Sequence, residues 1–139
     1  MRALLALGLA LVIAGPAAGH SYQVGGILVG HVWATPTTGA ASEAYVGLLN
    51  KANTPDALIG VLAPTAQAVE IVDAASRRIG GVDLPTNRPV ALKPGGIRIK
   101  LIGLDRPLRV GDKLKLTLIF ARAGQVAVEA MVEAGPSHG

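Results

Sequence analysis

From Lys113 to Phe120 every second residue is large and apolar: Leu114, Leu116, Leu118 and Phe120, with Lys113, Lys115 and Thr117 between them. Successive side chains of an extended strand point to opposite faces, so this spacing collects one apolar face and one polar face. Wound into a helix, the same residues would be scattered around the axis. Ala123-Gly124 follows, and from Gln125 to Val132 the pattern repeats, with Val126, Val128, Ala130 and Val132 on the apolar side. The two runs predict a hairpin whose apolar face other strands must cover.

The remainder of the chain supplies those strands. Ile27, Val29, His31 and Trp33 have the spacing of one strand face. A loop of small residues from Ala34 to Ser42 precedes a strand from Ala44 to Leu49. Asn50 to Asp56 reads as a turn, because Asn, Pro and Asp each favour turn geometry. Further strands are expected over Ala57–Ala63 and Ala68–Val72, separated at Pro64, and as short pieces at Val82–Leu84 and Val90–Leu92. A helical turn near Ala74–Arg78 is a local alternative. No internal repeat or low-complexity run interrupts the series. Many short strands between turn signals predict an all-β antiparallel sandwich or barrel.

The first residues bear on compartment. Arg2 precedes an uncharged apolar run from Ala3 to Ala14, and Pro16-Ala17-Ala18-Gly19 offers small residues for cleavage. This is the pattern of a secretory signal peptide over residues 1–19. The run is shorter than the ~20 apolar residues a spanning helix needs. Residues 20–139 then form one domain, with a short flexible tail from about residue 134, in a periplasmic or secreted protein. The chain has no cysteine, so disulfides, thiolate metal sites and Cys nucleophiles are excluded. The net charge is +4, but one Trp, one Phe and two Tyr leave little for base stacking, and nucleic acid is not an expected partner. Attraction to an acidic protein or, peripherally, to an anionic membrane surface is the reading the charge favours. A monomer is expected.

One stretch is more specific. Lys93-Pro94-Gly95-Gly96-Ile97-Arg98-Ile99-Lys100-Leu101-Ile102-Gly103-Leu104 is followed by Pro107-Leu108-Arg109-Val110-Gly111-Asp112 and the alternating strand. Together with His31-Val32-Trp33-Ala34, Glu43-Ala44-Tyr45-Val46, Asp56-Ala57-Leu58 and Val69-Glu70-Ile71-Val72-Asp73, it resembles the periplasmic copper chaperone family PCu(A)C. The resemblance runs from about residue 27 to 133. It implies a single cupredoxin-like, Greek-key β-sandwich that is exported and carries Cu(I) towards the CuA centre of cytochrome oxidase. It also implies a protein partner from the copper pathway or oxidase assembly. In that family two Met and two His hold copper. At the matching places this chain has Val46 for the first Met, Val72 for the first His, Arg98 for the second His and Lys100 for the second Met. None of these is a soft or imidazole donor of the kind Cu(I) prefers. A cation about 4 Å from the ion would cost on the order of 4 kcal/mol at an effective dielectric near 20. The inherited site is therefore expected not to hold copper.

Arg98 and Lys100, two apart in a strand, project from one face. Three readings fit them: a solvated strand face, a face that accepts an anion or acidic partner, and an internal pairing with Glu70 or Asp73 in place of a metal cross-link. Four residues remain as metal-ligand candidates. His20 would lie at a mature N-terminus, where imidazole and free amine together chelate Cu(II). His31 shares a strand face with Trp33, which fits a structural or surface role. Met131 alternates with Glu129 and Glu133 on an outward face, and His138 sits in the tail. The chain lacks G-x-S-x-G, H-E-x-x-H and a P-loop, so an enzyme is not expected. The leading expectation is a PCu(A)C-like protein of copper trafficking with its primary site replaced. The alternative is a non-metal binding module that uses the Arg98/Lys100 face to meet an acidic partner, an anion or a membrane surface.

Overall fold

Ten strands make up the regular structure of residues 21–134, the part of the chain that the computed structural model describes. They are β1 (Tyr22–Val24), β2 (Ile27–Ala34), β3 (Ala41–Asn50), β4 (Asp56–Leu62), β5 (Ala66–Val72), β6 (Val82–Leu84), β7 (Pro89–Leu92), β8 (Arg98–Leu104), β9 (Lys113–Phe120) and β10 (Gly124–Val132). No helix among these residues is long and apolar enough to cross a membrane. The signal-peptide expectation for residues 1–19, His20, and the tail from Gly135 onward lie outside the described residues.

The strands hydrogen-bond in the order β5-β8-β3-β2-β10-β9-β4-β6, with β1 added to β2 and β7 to β3. The sheet curls into the two layers of a β-sandwich, and both layers turn their apolar faces inward. Leu114, Leu116, Leu118 and Phe120 are buried, as the period-two pattern requires, and Val128, Ala130 and Val132 meet them from β10. Ala44, Val46, Leu48, Ile99 and Leu101 form the opposing part of the same core. Each fully buried Leu or Ile contributes roughly 1.5–3 kcal/mol relative to exposure. The β9–β10 register pairs Leu118 with Val126 and Leu116 with Val128. Gly124, at φ +95°, supplies the left-handed residue the tight connection needs.

Three local features depart from the sequence expectations. First, β10 runs parallel to β2, with Met131 opposite Trp33 and Val132 opposite Ala34; every other strand pair is antiparallel. Second, the β2–β3 register shifts between Val29 and Val32. The bulge reverses the alternation, so Ile27, Val29, Val32 and Ala34 face the core while His31 is exposed. His31 and Trp33 therefore do not share a face with Ile27 and Val29. Third, Ala74–Arg78 is not helical. Asp73 Oδ1 accepts the backbone N–H groups of Ala75 and Arg77, both at 2.9 Å, and Ser76 adopts φ +64°, an Asx-type turn.

Candidate functional site

The place where the resemblance puts copper is the outer face of β3, β8 and β5. In register, β8 pairs Ile99 with Ala44 of β3 and with Ile71 of β5, and these three buried residues define the inner side. The neighbouring pairs point outward. Glu43 lies opposite Lys100, and on the other side of β8 Glu70 faces Lys100 and Val72 faces Arg98. Alternation along β3 puts Tyr45 with Glu43 on this outer face and Val46 with Ala44 in the core.

The structure thus brings Val72, Arg98 and Lys100 together and leaves Val46 on the far side of the sheet. Val46 packs instead in register with Val32 and Leu92. On the strand next to Arg98, the side chain that reaches over this face is Tyr45. Its ring packs on Trp33 with centroids 4.6 Å apart and planes at 44°.

Arg98 is not a solvated surface cation. Its side chain is 11% exposed, and it makes four hydrogen bonds within the protein. Nε donates to Glu43 Oε2 at 2.8 Å. Nη1 donates to the carbonyls of Asp73 and Gly96, both at 3.0 Å, and Nη2 to Ser76 Oγ at 2.7 Å. Tyr45 completes the cluster by donating its hydroxyl proton to Glu43 Oε1 at 2.7 Å. One guanidinium therefore ties β3, the turn after β5 and the turn before β8 to one another. The planar fork of Arg suits this task, which the point charge of Lys would perform poorly.

The electrostatics follow. Burial pushes the Glu43 carboxyl up, but the hydrogen bonds from Arg98 and Tyr45 and the charges of Arg98 and Lys100 outweigh it and hold the group below the ordinary carboxylate range. Burial first, and then the hydrogen bond to anionic Glu43, raise the Tyr45 phenol well above its usual value. The Arg98 guanidinium is raised chiefly by its hydrogen bond to Glu43.

Two expectations about this face need correction. The internal pairing of Arg98 on this face is made with the carboxylate of Glu43, not of Glu70 or Asp73. The carboxylate of Glu70 lies 3.6 Å from Arg78. That of Asp73 serves the backbone of its own turn and Arg77, and only its carbonyl reaches Arg98. Nor does the face offer a free basic pair to an anion. Arg98 is engaged, and Lys100 stands between Glu43 and Glu70 in register. Glu43, Tyr45 and Ser76 were not singled out from the sequence. The only local signal was that Glu43 and Tyr45 alternate around a core residue.

A fit to Cu(I) fails on chemistry. The face presents a carboxylate, a guanidinium, a phenol, an ammonium and a valine, with no imidazole, thioether or thiolate. Among the described residues no three of His, Cys, Asp and Glu are grouped so as to hold a metal ion. Two of the other metal-ligand candidates, His31 and Met131, lie on the adjacent strands β2 and β10. His31 Nε2 lies 2.8 Å from Glu133 Oε2, and Met131 is opposite Trp33. His20 and His138 fall outside the described residues.

Comparison with known proteins agrees with this scaffold. Residues 27–132 match the family model "Putative lipoprotein LpqE-like". A curated relative, "Putative lipoprotein Lxx21020" of Leifsonia xyli subsp. xyli, is 23% identical over 107 residues; the match takes in 71% of this chain and 64% of the relative. The chain thus spans just under two thirds of that relative's length. Among solved structures, a copper-bound PCuAC domain from PmoF2 superposes with TM-score 0.77 at 33% identity, covering 84% of this chain and 99% of that one. The apo PCuAC domain from PmoF1 gives TM-score 0.77 at 31% identity, covering 83% and 99%. The Cu(I) form of DR1885 from Deinococcus radiodurans gives 0.62 at 25% identity, covering 74% and 76%. This chain belongs to the LpqE-like family and carries the fold of the PCuAC copper chaperone domain.

Proposed function

We propose that this protein is an exported member of a copper-trafficking pathway that keeps the PCuAC scaffold but no longer carries Cu(I) on the β3/β5/β8 face. The observation that supports this most directly is the engagement of Arg98 by Glu43, Asp73, Gly96 and Ser76. A guanidinium held there by four partners occupies the place of a donor and repels a cation. The same clamp keeps the face ordered without metal, which leaves it ready for protein recognition.

The pathway assigned is delivery of copper towards the CuA centre of cytochrome oxidase, with a copper-pathway or oxidase-assembly protein as partner. The protein acts in it as a monomeric carrier or docking module, not as an enzyme. Export fits relatives described as lipoproteins. A thioether-linked lipid would have no attachment residue among these 139 residues, since they include no cysteine; the compartment assigned is the periplasm or the outer face of the membrane.

Two measurements test the reading together. Deletion of the gene in its own host should lower the CuA absorbance of purified cytochrome oxidase, and the intact gene should restore it. In amide-resolved NMR of the protein titrated with Cu(I), the resonances of Arg98, Lys100 and Val72 should stay in place. Unchanged CuA content, or shifts centred on Arg98 and Lys100, would overturn it.

A further inference from the structure

We infer that the outer face of β1, β2, β3 and β7 docks an acidic segment of a partner protein. That segment seats an apolar side chain over Gly30 and Gly47 and sets carboxylates against Lys51, Arg88 and Lys93. The inference deepens the proposed function and rests on it only for the pathway to which the partner belongs.

Register assembles this face from strands far apart in the chain. Gln23 of β1 lies opposite Leu28 of β2, Leu28 opposite Leu49 of β3, and Leu49 opposite Pro89 of β7. Cross-strand partners share a side of the sheet. Val29 and Leu48 are buried in the core, so alternation turns the row of Leu28 and Leu49 outward. One step along, Gly47 is opposite Ala91, and a Cβ on Gly30 would stand 3.5 Å from the Gly47 carbonyl. Two neighbouring glycines thus leave the sheet bare at this point. A Cβ on Gly47 would meet nothing within 4 Å. The result is an open depression of about 590 Å³, with Tyr22 and Gln23 on one side and Pro89, Val90 and Ala91 on the other. A sheet face left to water is normally polar; in these two rows only Gln23 is.

The charges at the margin have one sign. Lys51 follows β3, Arg88 precedes β7 and Lys93 follows it. All three are exposed, and none takes part in the ion pairs of the described residues. The stretches that build the face, 21–30, 46–51 and 88–93, contain no Asp or Glu. Farther up the same side of β3 the carboxylate of Glu43 is already bonded to Arg98. An apolar hollow ringed by unanswered cations complements an apolar side chain flanked by carboxylates, the charges steering approach and the hollow anchoring it. Insertion into a bilayer calls for protruding apolar side chains, whereas Leu28 and Leu49 are half-buried around a hollow; this favours a protein. Glu43, Tyr45, Gly47 and Leu49 succeed one another on the outer side of β3. A segment seated at Gly47 therefore abuts the Arg98 cluster, which is ordered before docking.

The test pans phage-displayed random peptides on the exported protein and then measures a synthetic peptide of the selected consensus. The consensus should place an aliphatic or aromatic residue among Asp and Glu. Its binding should weaken about tenfold from low to high salt, as exposed charge pairs are screened, and should shift the amides of Leu28, Gly47, Leu49 and Ala91. Gly47→Leu fills the hollow at a place where a Cβ meets nothing and φ is not positive. It should lower affinity about tenfold or more while circular dichroism and thermal melting stay as in the wild type. Arg88→Glu with Lys93→Glu should lower it comparably. Failure to enrich any peptide, a basic or uncharged consensus, or binding that Gly47→Leu leaves intact would overturn the inference. So would binding to vesicles of phosphatidylcholine and phosphatidylglycerol in equal parts that Gly47→Leu abolishes, which would make the face a membrane contact. None of these outcomes bears on CuA content or on the Arg98 and Lys100 resonances, by which the proposed function is judged.

Discussion

Arg98 Nε donates to Glu43 Oε2 at 2.8 Å between residues 55 apart in sequence, and this one ion pair decides what the β3/β5/β8 face can do. With the bonds to Asp73, Gly96 and Ser76 it commits four guanidinium N–H groups to the protein itself. It also ties β3 to β8 across the outer face.

Removing either partner strands the other in a half-buried setting. Loss of one member of a buried pair costs about 3–5 kcal/mol, and of an exposed pair about 0–1 kcal/mol. With side chains 11% and 33% exposed, Arg98→Met is expected to cost ~2–3 kcal/mol in chemical denaturation. The double variant with Glu43→Gln should recover part of that loss. Strict additivity in the double-mutant cycle would show that the pair is not coupled.

The acid limb of stability should carry the signature of Glu43. Its folded pKa is lowered from the ordinary 4.5, so the folded state favours the carboxylate. That contribution is complete above the unfolded pKa and disappears as pH falls through the folded value. The stability of the wild type should therefore drop more steeply below pH 4.5 than that of Glu43→Gln. Parallel acid limbs would contradict the assignment.

Tyr45 has the opposite sign. A raised phenol contributes stability that is whole below the unfolded pKa and is lost as pH climbs through the higher folded one. Phenolate absorbance in the folded protein should show a tyrosine that ionises only at strongly alkaline pH. Tyr45→Phe should delete that late component; if it persists, the hydroxyl is not shielded by Glu43 and burial.

Asp56 secures the β9–β10 turn from another strand. Its Oδ1 accepts the Arg122 N–H at 2.8 Å and its Oδ2 the Ala123 N–H at 2.9 Å. Hydrogen bonds to a charged acceptor contribute ~1.5–3 kcal/mol each when both partners are well placed, and exposure of the Arg122 side reduces this. Asp56→Ala should lose about 2 kcal/mol, with hydrogen exchange accelerated first at the amides of Arg122 and Ala123.

Restoring donors provides a direct challenge to the clamp. Arg98→His with Lys100→Met removes both cations and supplies an imidazole and a thioether on one strand face. Cu(I) should then shift the amides of residues 97–101, whereas in the wild type they should stay in place. The wild-type pattern in the double variant would mean that something other than charge and donor chemistry keeps copper away.

Leu114, Leu116, Leu118 and Phe120 were legible as a buried strand face because alternation is local: a strand has one geometry, and only one partition of its side chains buries the apolar ones. The same logic located the β9–β10 hairpin and the Arg98/Lys100 face, and the residues around the Gly95-Gly96 turn carried the family resemblance. Glu43 could not be paired with Arg98 that way, nor His31 with Glu133, since each contact depends on the register of strands far apart in the chain. Val46 was placed among copper positions by resemblance, yet it lies on the core side, whereas Tyr45 faces Arg98. His31 was moved off the core face by a bulge that no local pattern announces. Local alternation and turn chemistry thus determined the strands, their inward sides and the class of fold. Only the tertiary structure decided which side chains meet on the outer face, because inter-strand register is set by packing the whole sheet, and a shift of one residue reverses every neighbour.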